Sequence, residues 1–176
     1  MGVLSKVRHY VNAATLSMLY YSLRYPFLTY AVVTWGNTYT TTLRPLIILQ
    51  KRAVRLMTFS EFRAHSDPIF HDLGLLKLPD IIFLHNALFM YDFYSDCLPS
   101  VFNCFFLQVN RIHQYNTRLA AKRSYYLPRI RTNYGKFNIR YLGVKIWNSI
   151  PELFKSKPRS SFKKFLVDSF IDRYNN

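Results

Sequence analysis

Residues 43–59 read LRPLIILQKRAVRLMTF. Wound at the helical repeat, this stretch has two sides. Leu46, Leu49, Ala53, Val54, Leu56 and Met57 fall on one broad arc. Arg44, Lys51 and Arg55 fall together on the opposite side, with Arg52 at its edge. One face asks for a core, and the other asks for something negative.

The sequence on either side supplies helices for that core. Asn12 can cap a helix running to Arg24, with Leu16, Leu19, Tyr20 and Leu23 on one face. Pro26, tolerated only in a first turn, opens a second helix that runs to Trp35 and ends at Gly36 and Asn37. The run from Ala13 to Trp35 is the longest apolar one, but Arg24 and Pro26 interrupt it, so it reads as two packed helices rather than a membrane span. Thr42 is placed to cap the basic helix, with Pro45 in its first turn. Pro68–Leu73 reads as a short helix closed by Gly74. Pro79 opens another helix to about Tyr94, with Ile82, Leu84, Ala87, Leu88 and Tyr91 as core.

Beyond Cys97 the pattern changes. Leu98–Phe106 has room for one helical turn, and Val109–Ser124, without periodicity, reads as extended or loop. Tyr125–Arg131 and Phe137–Tyr141 flank a turn holding Asn133 and Gly135, the pattern of a β-hairpin. Gly143–Ile150 is a short helix stopped by Pro151, and Ser160 or Ser161 caps a last helix through Arg173. The expected fold is therefore mainly α. A small helical bundle over residues 1–96 is followed by a basic segment, 97–176, with a short β-hairpin and a C-terminal helix.

Net charge is +15, and its distribution is more informative than its size. From Met1 to Ser60 there is no acid against seven Lys or Arg, and from Cys97 to Pro151 there is none against nine. Between these blocks, Glu61 to Asp96 holds six acids against Arg63 and Lys77. A solvated surface interleaves both signs, so two long acid-free blocks imply a polyanionic partner: nucleic acid first, an anionic membrane surface second. In the second block Arg111, Arg118, Lys122, Arg123, Arg129, Arg131, Lys136, Arg140 and Lys145 alternate with Tyr115, Tyr125, Tyr126, Tyr134, Phe137, Tyr141 and Trp147. Cations neutralise phosphates and aromatic faces stack unpaired bases; the alternative is that the aromatics are core and only the cations face outward. Nothing resembles a base-reading code, which points to contacts with the strand backbone.

Catalytic and metal-binding patterns are missing from the sequence. There is no glycine-rich phosphate loop, and the run HSDPIFH at 65–71 has no established metal spacing. No cofactor and no metal is expected. Asp92 and Asp96 read as a solvated helix face. The two cysteines, Cys97 and Cys104, form no CxxC and read as buried or incidental thiols of a reducing compartment, nucleus or cytoplasm. The start Met-Gly lacks the Ser or Thr of a myristoylation site, carrying Lys6 there instead.

The segments GVLSKVRHYV (2–11), LYYSLRYPFLTYAVVTWGNTY (19–39), LQKRAVRLMTF (49–59), YNTR (115–118) and KIWNSIP (145–151) occur in this order. Together they resemble the C-terminal end of non-LTR (LINE-type) retrotransposon reverse transcriptases of the jockey-like kind, over nearly the whole chain. In that family this region follows the polymerase palm and contains a helical thumb and a further C-terminal segment. The resemblance implies a thumb-like bundle whose Arg44, Lys51, Arg52 and Arg55 contact phosphates of a primer–template duplex. It also implies a later basic segment that holds template RNA or target DNA.

The chain departs from the family in lacking the fingers, the palm and the metal-holding aspartates. Met90-Tyr91-Asp92-Phe93 is not the family's aromatic-x-Asp-Asp motif, and neither an endonuclease domain nor a Cys/His knuckle is present. The expectation is a truncated, non-catalytic, nucleic-acid-binding derivative of a reverse transcriptase. Its competitors are part of an active polymerase whose palm is encoded upstream, a remnant without function, and a protein of anionic membrane surfaces.

Overall fold

The computed structural model describes residues 2–109 and 124–175. They are mainly helical, and no strand is formed among them; Gln108 and Tyr125 make an isolated antiparallel bridge. In chain order the helices are α1 (Gly2–Val7), α2 (Ala13–Leu23), α3 (Tyr25–Thr29), α4 (Val32–Trp35), α5 (Thr40–Met57), α6 (Ser66–Asp72) and α7 (Leu78–Tyr94). A 3₁₀ turn at Ser100–Phe102 follows, then α8 (Asn133–Lys136), α9 (Ile139–Ser149), α10 (Glu152–Lys155), α11 (Arg159–Asp172) and a 3₁₀ turn at Arg173–Asn175. The reading of 109–124 as extended or loop falls mostly outside the described residues.

The chain forms two compact units, Met1–Ile82 with Val167–Asn176, and Phe83–Leu166. The chain passes from one to the other within α7 and returns within α11.

In the first unit α5 touches α1, α2 and α6. Its buried residues are Leu43, Gln50, Ala53, Val54 and Met57. The core face is thus turned toward Leu43 and Gln50, away from Leu49, which is 41% exposed. The helix begins at Thr40, not after a Thr42 cap, and Pro45 lies inside it. Pro45 has no N–H to donate to the carbonyl of Thr41, an exposed residue in the first turn. At the other end Phe59 takes a left-handed φ of 56°, and the Ser60 N–H donates to the Arg55 carbonyl at 3.0 Å. This is the Schellman closure with a phenylalanine in the place glycine usually takes.

The remaining first-unit helices follow from local chemistry. Asn12 caps α2 as its position implies, accepting from the Thr15 N–H at 2.9 Å. The single helix expected over Pro26–Trp35 is two short ones, α3 and α4. Tyr30 is extended and Ala31 left-handed at φ 47°, and the Trp35 indole N–H donates to the Tyr30 carbonyl at 2.7 Å, closing the kink. Val32, Leu43, Leu78 and Ile82 form a buried cluster, joined by Leu28, Trp35, Leu46 and Ile47. A Cβ at Gly36 would stand 2.6 Å from the Val32 carbonyl oxygen and 2.9 Å from Ile82 Cγ1, so only glycine fits there. Gly74, at φ 61°, closes α6.

The C-terminus is held in this unit by Tyr174. Its hydroxyl donates to Asp80 and accepts from the Lys77 N–H at 3.1 Å. Burial pushes the Asp80 carboxyl above the usual carboxylate range, against the opposing pull of the Tyr174 hydrogen bond, Arg173 and Lys77.

In the second unit the later part of α7 buries Leu84, Ala87, Leu88 and Met90, and Trp147 of α9 and Phe162 of α11 are fully buried. The Trp147 ring lies 5.3 Å from Tyr94 and 6.1 Å from Phe162. The expected β-hairpin is not present. Asn133–Lys136 is a helical turn in which Thr132 Oγ1 accepts from the Gly135 N–H at 3.2 Å. Residues 139–141 open α9, whose Asn138 cap accepts from the Arg140 N–H at 2.9 Å. The helix expected at Gly143 therefore starts four residues earlier, and Asn133 and Gly135, expected in a hairpin turn, lie inside a short helix capped by Thr132.

Tyr125 is extended, as the hairpin reading required, but its backbone pairs with a side chain. Its N–H donates to Asn148 Oδ1 at 3.1 Å and its carbonyl accepts from Asn148 Nδ2 at 2.8 Å. The last helix starts at Arg159, ahead of Ser160 and Ser161, and buries Phe162, Leu166 and Phe170 along one side as its spacing implies.

Candidate nucleic-acid interface

The cations of α5 lie away from its buried face. Arg44 and Arg52 are exposed, and Lys51 and Arg55 are half-buried. Ile48, 41% exposed, stands among them. The four differ in what already holds them. Arg55 Nε donates to the Ala64 carbonyl at 2.7 Å, which fixes the guanidinium against the loop after α5. Lys51 is close enough to Asp67 to add to its field. Burial disfavours the charged form of Asp67, but the hydrogen bond and charge of Lys77, with His65 and Lys51, outweigh it and hold the carboxyl below its usual range. Lys77 Nζ itself lies 3.0 Å from Asp67 Oδ1. Asp67 is thus paired with Lys77 and only within the field of Lys51, and neither Lys51, Arg44 nor Arg52 makes an ion pair among the described residues.

Toward the C-terminal end of α5 the basic face becomes a cavity. Ser5 of α1, Arg8 just after it, Arg52, Arg55 and Leu56 of α5, and Ser60 and Phe62 of the following loop line a space of about 250 Å³. No acidic residue is among them. Two of the arginines are braced by rings: the Arg8 guanidinium carbon lies 5.3 Å from the Phe59 centroid, and that of Arg52 lies 5.7 Å from Phe62. Arg8 Nε is buried without a hydrogen-bond partner. In the sequence Arg8 is one of the seven cations of the first acid-free block; the approach of α1 to α5 brings it to the other arginines.

The later basic block is placed in part. Arg111, Arg118, Lys122, Arg123 and the aromatic Tyr115 lie outside the described residues. Arg129, Arg131, Arg140 and Lys145 are exposed and Lys136 is half-buried. Arg140 covers the Phe105 ring at 4.3 Å. The aromatics divide: Tyr125 and Trp147 are core, while Tyr126 is 45% and Tyr134 81% exposed. The interleaving of cations and rings thus has two origins, one in packing and one on the surface.

Other readings change. Asp92 is not a solvated carboxylate: Arg159 grips it through Nε at 2.6 Å and a terminal nitrogen at 3.0 Å. Cys97 and Cys104 are free and exposed rather than buried. In the HSDPIFH run Asp67 pairs with Lys77, and His71 Nδ1 lies 3.3 Å from Asp72. Among the described residues no group of three or more His, Cys, Asp or Glu is arranged to hold a metal ion, and no helix is long and apolar enough to cross a membrane. Neither family models, curated proteins nor solved structures match the chain.

Proposed function

We propose that this chain is a non-catalytic nucleic-acid-binding module, thumb-like in its first unit and derived from a non-LTR reverse transcriptase. It grips the phosphates of a template–primer duplex or of element RNA in the nucleus or cytoplasm. The observation that carries the reading is the α5 face, where Arg44 and Arg52 point away from the core with no carboxylate partner among the described residues. Such a face favours a polyanion, because each phosphate neutralised releases condensed counterions. Exposed Arg129, Arg131, Arg140 and Lys145 support a second region of contact. Binding is directed at the backbone and tolerant of sequence.

A titration of labelled duplex and single strand across a salt series tests this. Several phosphate contacts require affinity to fall by orders of magnitude between low and moderate salt, about 10³-fold or more for six contacts. Flat or absent binding would sink the reading. Flotation with anionic vesicles in parallel separates it from membrane-surface binding.

One observation favours a companion reading, in which the module works inside a larger polymerase. Phe27 is 79% and Tyr30 80% exposed, and Phe27 and Leu49 line an apolar cleft of about 130 Å³ with Tyr20, Leu28 and Leu46. Apolar surface of this kind suits packing against another domain, as a thumb packs on its palm. Reading the genomic DNA upstream of the Met1 codon decides it. A continuous frame with polymerase motifs supports the companion reading, and stop codons exclude it.

A further inference from the structure

We propose that the cavity between α1 and the end of α5 is a receptor for the terminal phosphate of a nucleic-acid strand, with Arg8, Arg52 and Arg55 as its ligands. This rests on the nucleic-acid reading above and goes further by naming a discrete site and the chemical group it takes. Three guanidinium groups line one concave space that contains no carboxylate. A row of exposed cations would suit the diesters of a continuous backbone, each with one charge and two free oxygens. A concave set of three arginines suits a monoester, which has about two negative charges and three acceptor oxygens.

The arginines are arranged for a ligand in three different ways. Arg55 is fixed through Nε to the Ala64 carbonyl, which leaves its terminal N–H groups as donors. Arg52 is held against Phe62 and exposed. Arg8 is half-buried, and its Nε has no partner in the protein, so this cation lacks the anion that partial burial calls for. Ser5 and Ser60 also line the space, the Ser60 hydroxyl being paired with Thr58 Oγ1 at 2.7 Å, beside the apolar Leu56 and Phe62.

The brace on Arg8 is set by the helix end: Phe59, whose ring lies under the Arg8 guanidinium, occupies the left-handed position of the Schellman closure at φ 56°. The carbonyl end of α5 opposes an anion with a partial charge of only about one half, against three full positive charges.

The exposed ring at the mouth selects among carriers of a phosphate monoester. Phe62 is 72% exposed, with the Arg52 guanidinium over its ring at 5.7 Å from the centroid. A base next to a terminal phosphate can stack on such a face, whereas inorganic phosphate gains nothing from it.

The experiment uses the full chain and internally labelled single strands of one sequence, bearing a 5′-phosphate, a 3′-phosphate or only hydroxyl ends. Affinity is measured by fluorescence anisotropy, with inorganic phosphate as competitor. The expected result is that at least one phosphorylated end binds about tenfold or more tightly than the hydroxyl-ended strand, as charge-assisted hydrogen bonds to a dianion require. Arg52→Gln and Arg8→Gln should each erase that preference while leaving a residual, salt-dependent affinity for all strands. Inorganic phosphate should compete only at far higher concentration than the phosphorylated strand.

Equal affinity of all three strands would overturn the terminal-phosphate site and leave the general nucleic-acid reading standing. Retention of the preference in both arginine variants would overturn the assignment to this cavity. Competition by inorganic phosphate as tight as by the strand end would overturn the choice of a strand. Absence of binding of any strand at low salt would overturn both readings.

Discussion

At Gln50 a polar side chain occupies the buried side of α5, 4% exposed. It survives there because every polar group it brings is used. Its Nε2 donates to the Leu76 carbonyl at 2.9 Å and to the Tyr20 hydroxyl at 3.2 Å, and its Oε1 accepts from the Leu78 N–H at 2.8 Å. That last bond satisfies an N–H at the start of α7, which the helix itself cannot pair. Gln50→Ala strands a buried N–H and a buried carbonyl, so it should lower unfolding free energy by about 2–4 kcal/mol in a denaturant titration. His85 gives a prediction in pH. Burial first, and then the charges of Lys163 and Arg159, push its pKa below 6.5. The unfolded chain therefore binds the proton more readily, and stability falls as pH drops through 6.5 toward the lower folded value. Thermal midpoints between pH 8 and 5 should decline in the parent and decline less in His85→Gln. An equal decline in both would remove His85 as the cause.

At the scale of the element, α5 separates its two roles by face, and its cations are not equivalent. Arg55 is tied to the Ala64 carbonyl and Lys51 faces the field of Asp67, so reversing either charge disturbs the fold as well as the surface. Arg44 and Arg52 are free of such ties. Arg44→Glu with Arg52→Glu should weaken strand binding by about tenfold or more at low salt and lessen its salt slope, with the thermal midpoint nearly unchanged. Loss of the fold in this double variant would mean that the face is structural and not a binding surface. The close approach at Gly36 belongs to this scale too. Gly36→Ala must displace the Val32 carbonyl or Ile82, an overpacking cost of about 1–3 kcal/mol. A chemical-denaturation midpoint reads it, and a neutral result would show that α4 can shift.

For the whole molecule, a net charge of +15 acts on folding and on binding with opposite signs. Self-repulsion of like charges weakens the compact state, and salt screens it, with a Debye length of about 10 Å at 0.1 M. Raising salt should therefore raise the thermal midpoint of the free chain over the same range in which affinity for nucleic acid falls. Melting curves beside binding isotherms check this; a midpoint that falls with salt would show that specific ion pairs, such as Lys77–Asp67 and Arg159–Asp92, outweigh the repulsion.

The sequence by itself determined the helical class, the Asn12 cap, the existence of α6 and its Gly74 closure, the span of α7, and the cationic face of α5. These depend on contacts within a few residues, or on a periodicity that the chain carries along its length. What only the tertiary structure decided depends on distant partners. Asn148, far along the chain, supplies the hydrogen bonds that a hairpin would have given Tyr125, so residues 133–141 were free to wind into α8 and α9. Gln50 is buried because Tyr20, Leu76 and Leu78 meet it, and Asp92 is paired because Arg159 reaches it. Arg8 joins Arg52 and Arg55 because α1 lies along α5. A run of basic residues announces a preference for anions, but the concavity that gives that preference a particular shape exists only after folding.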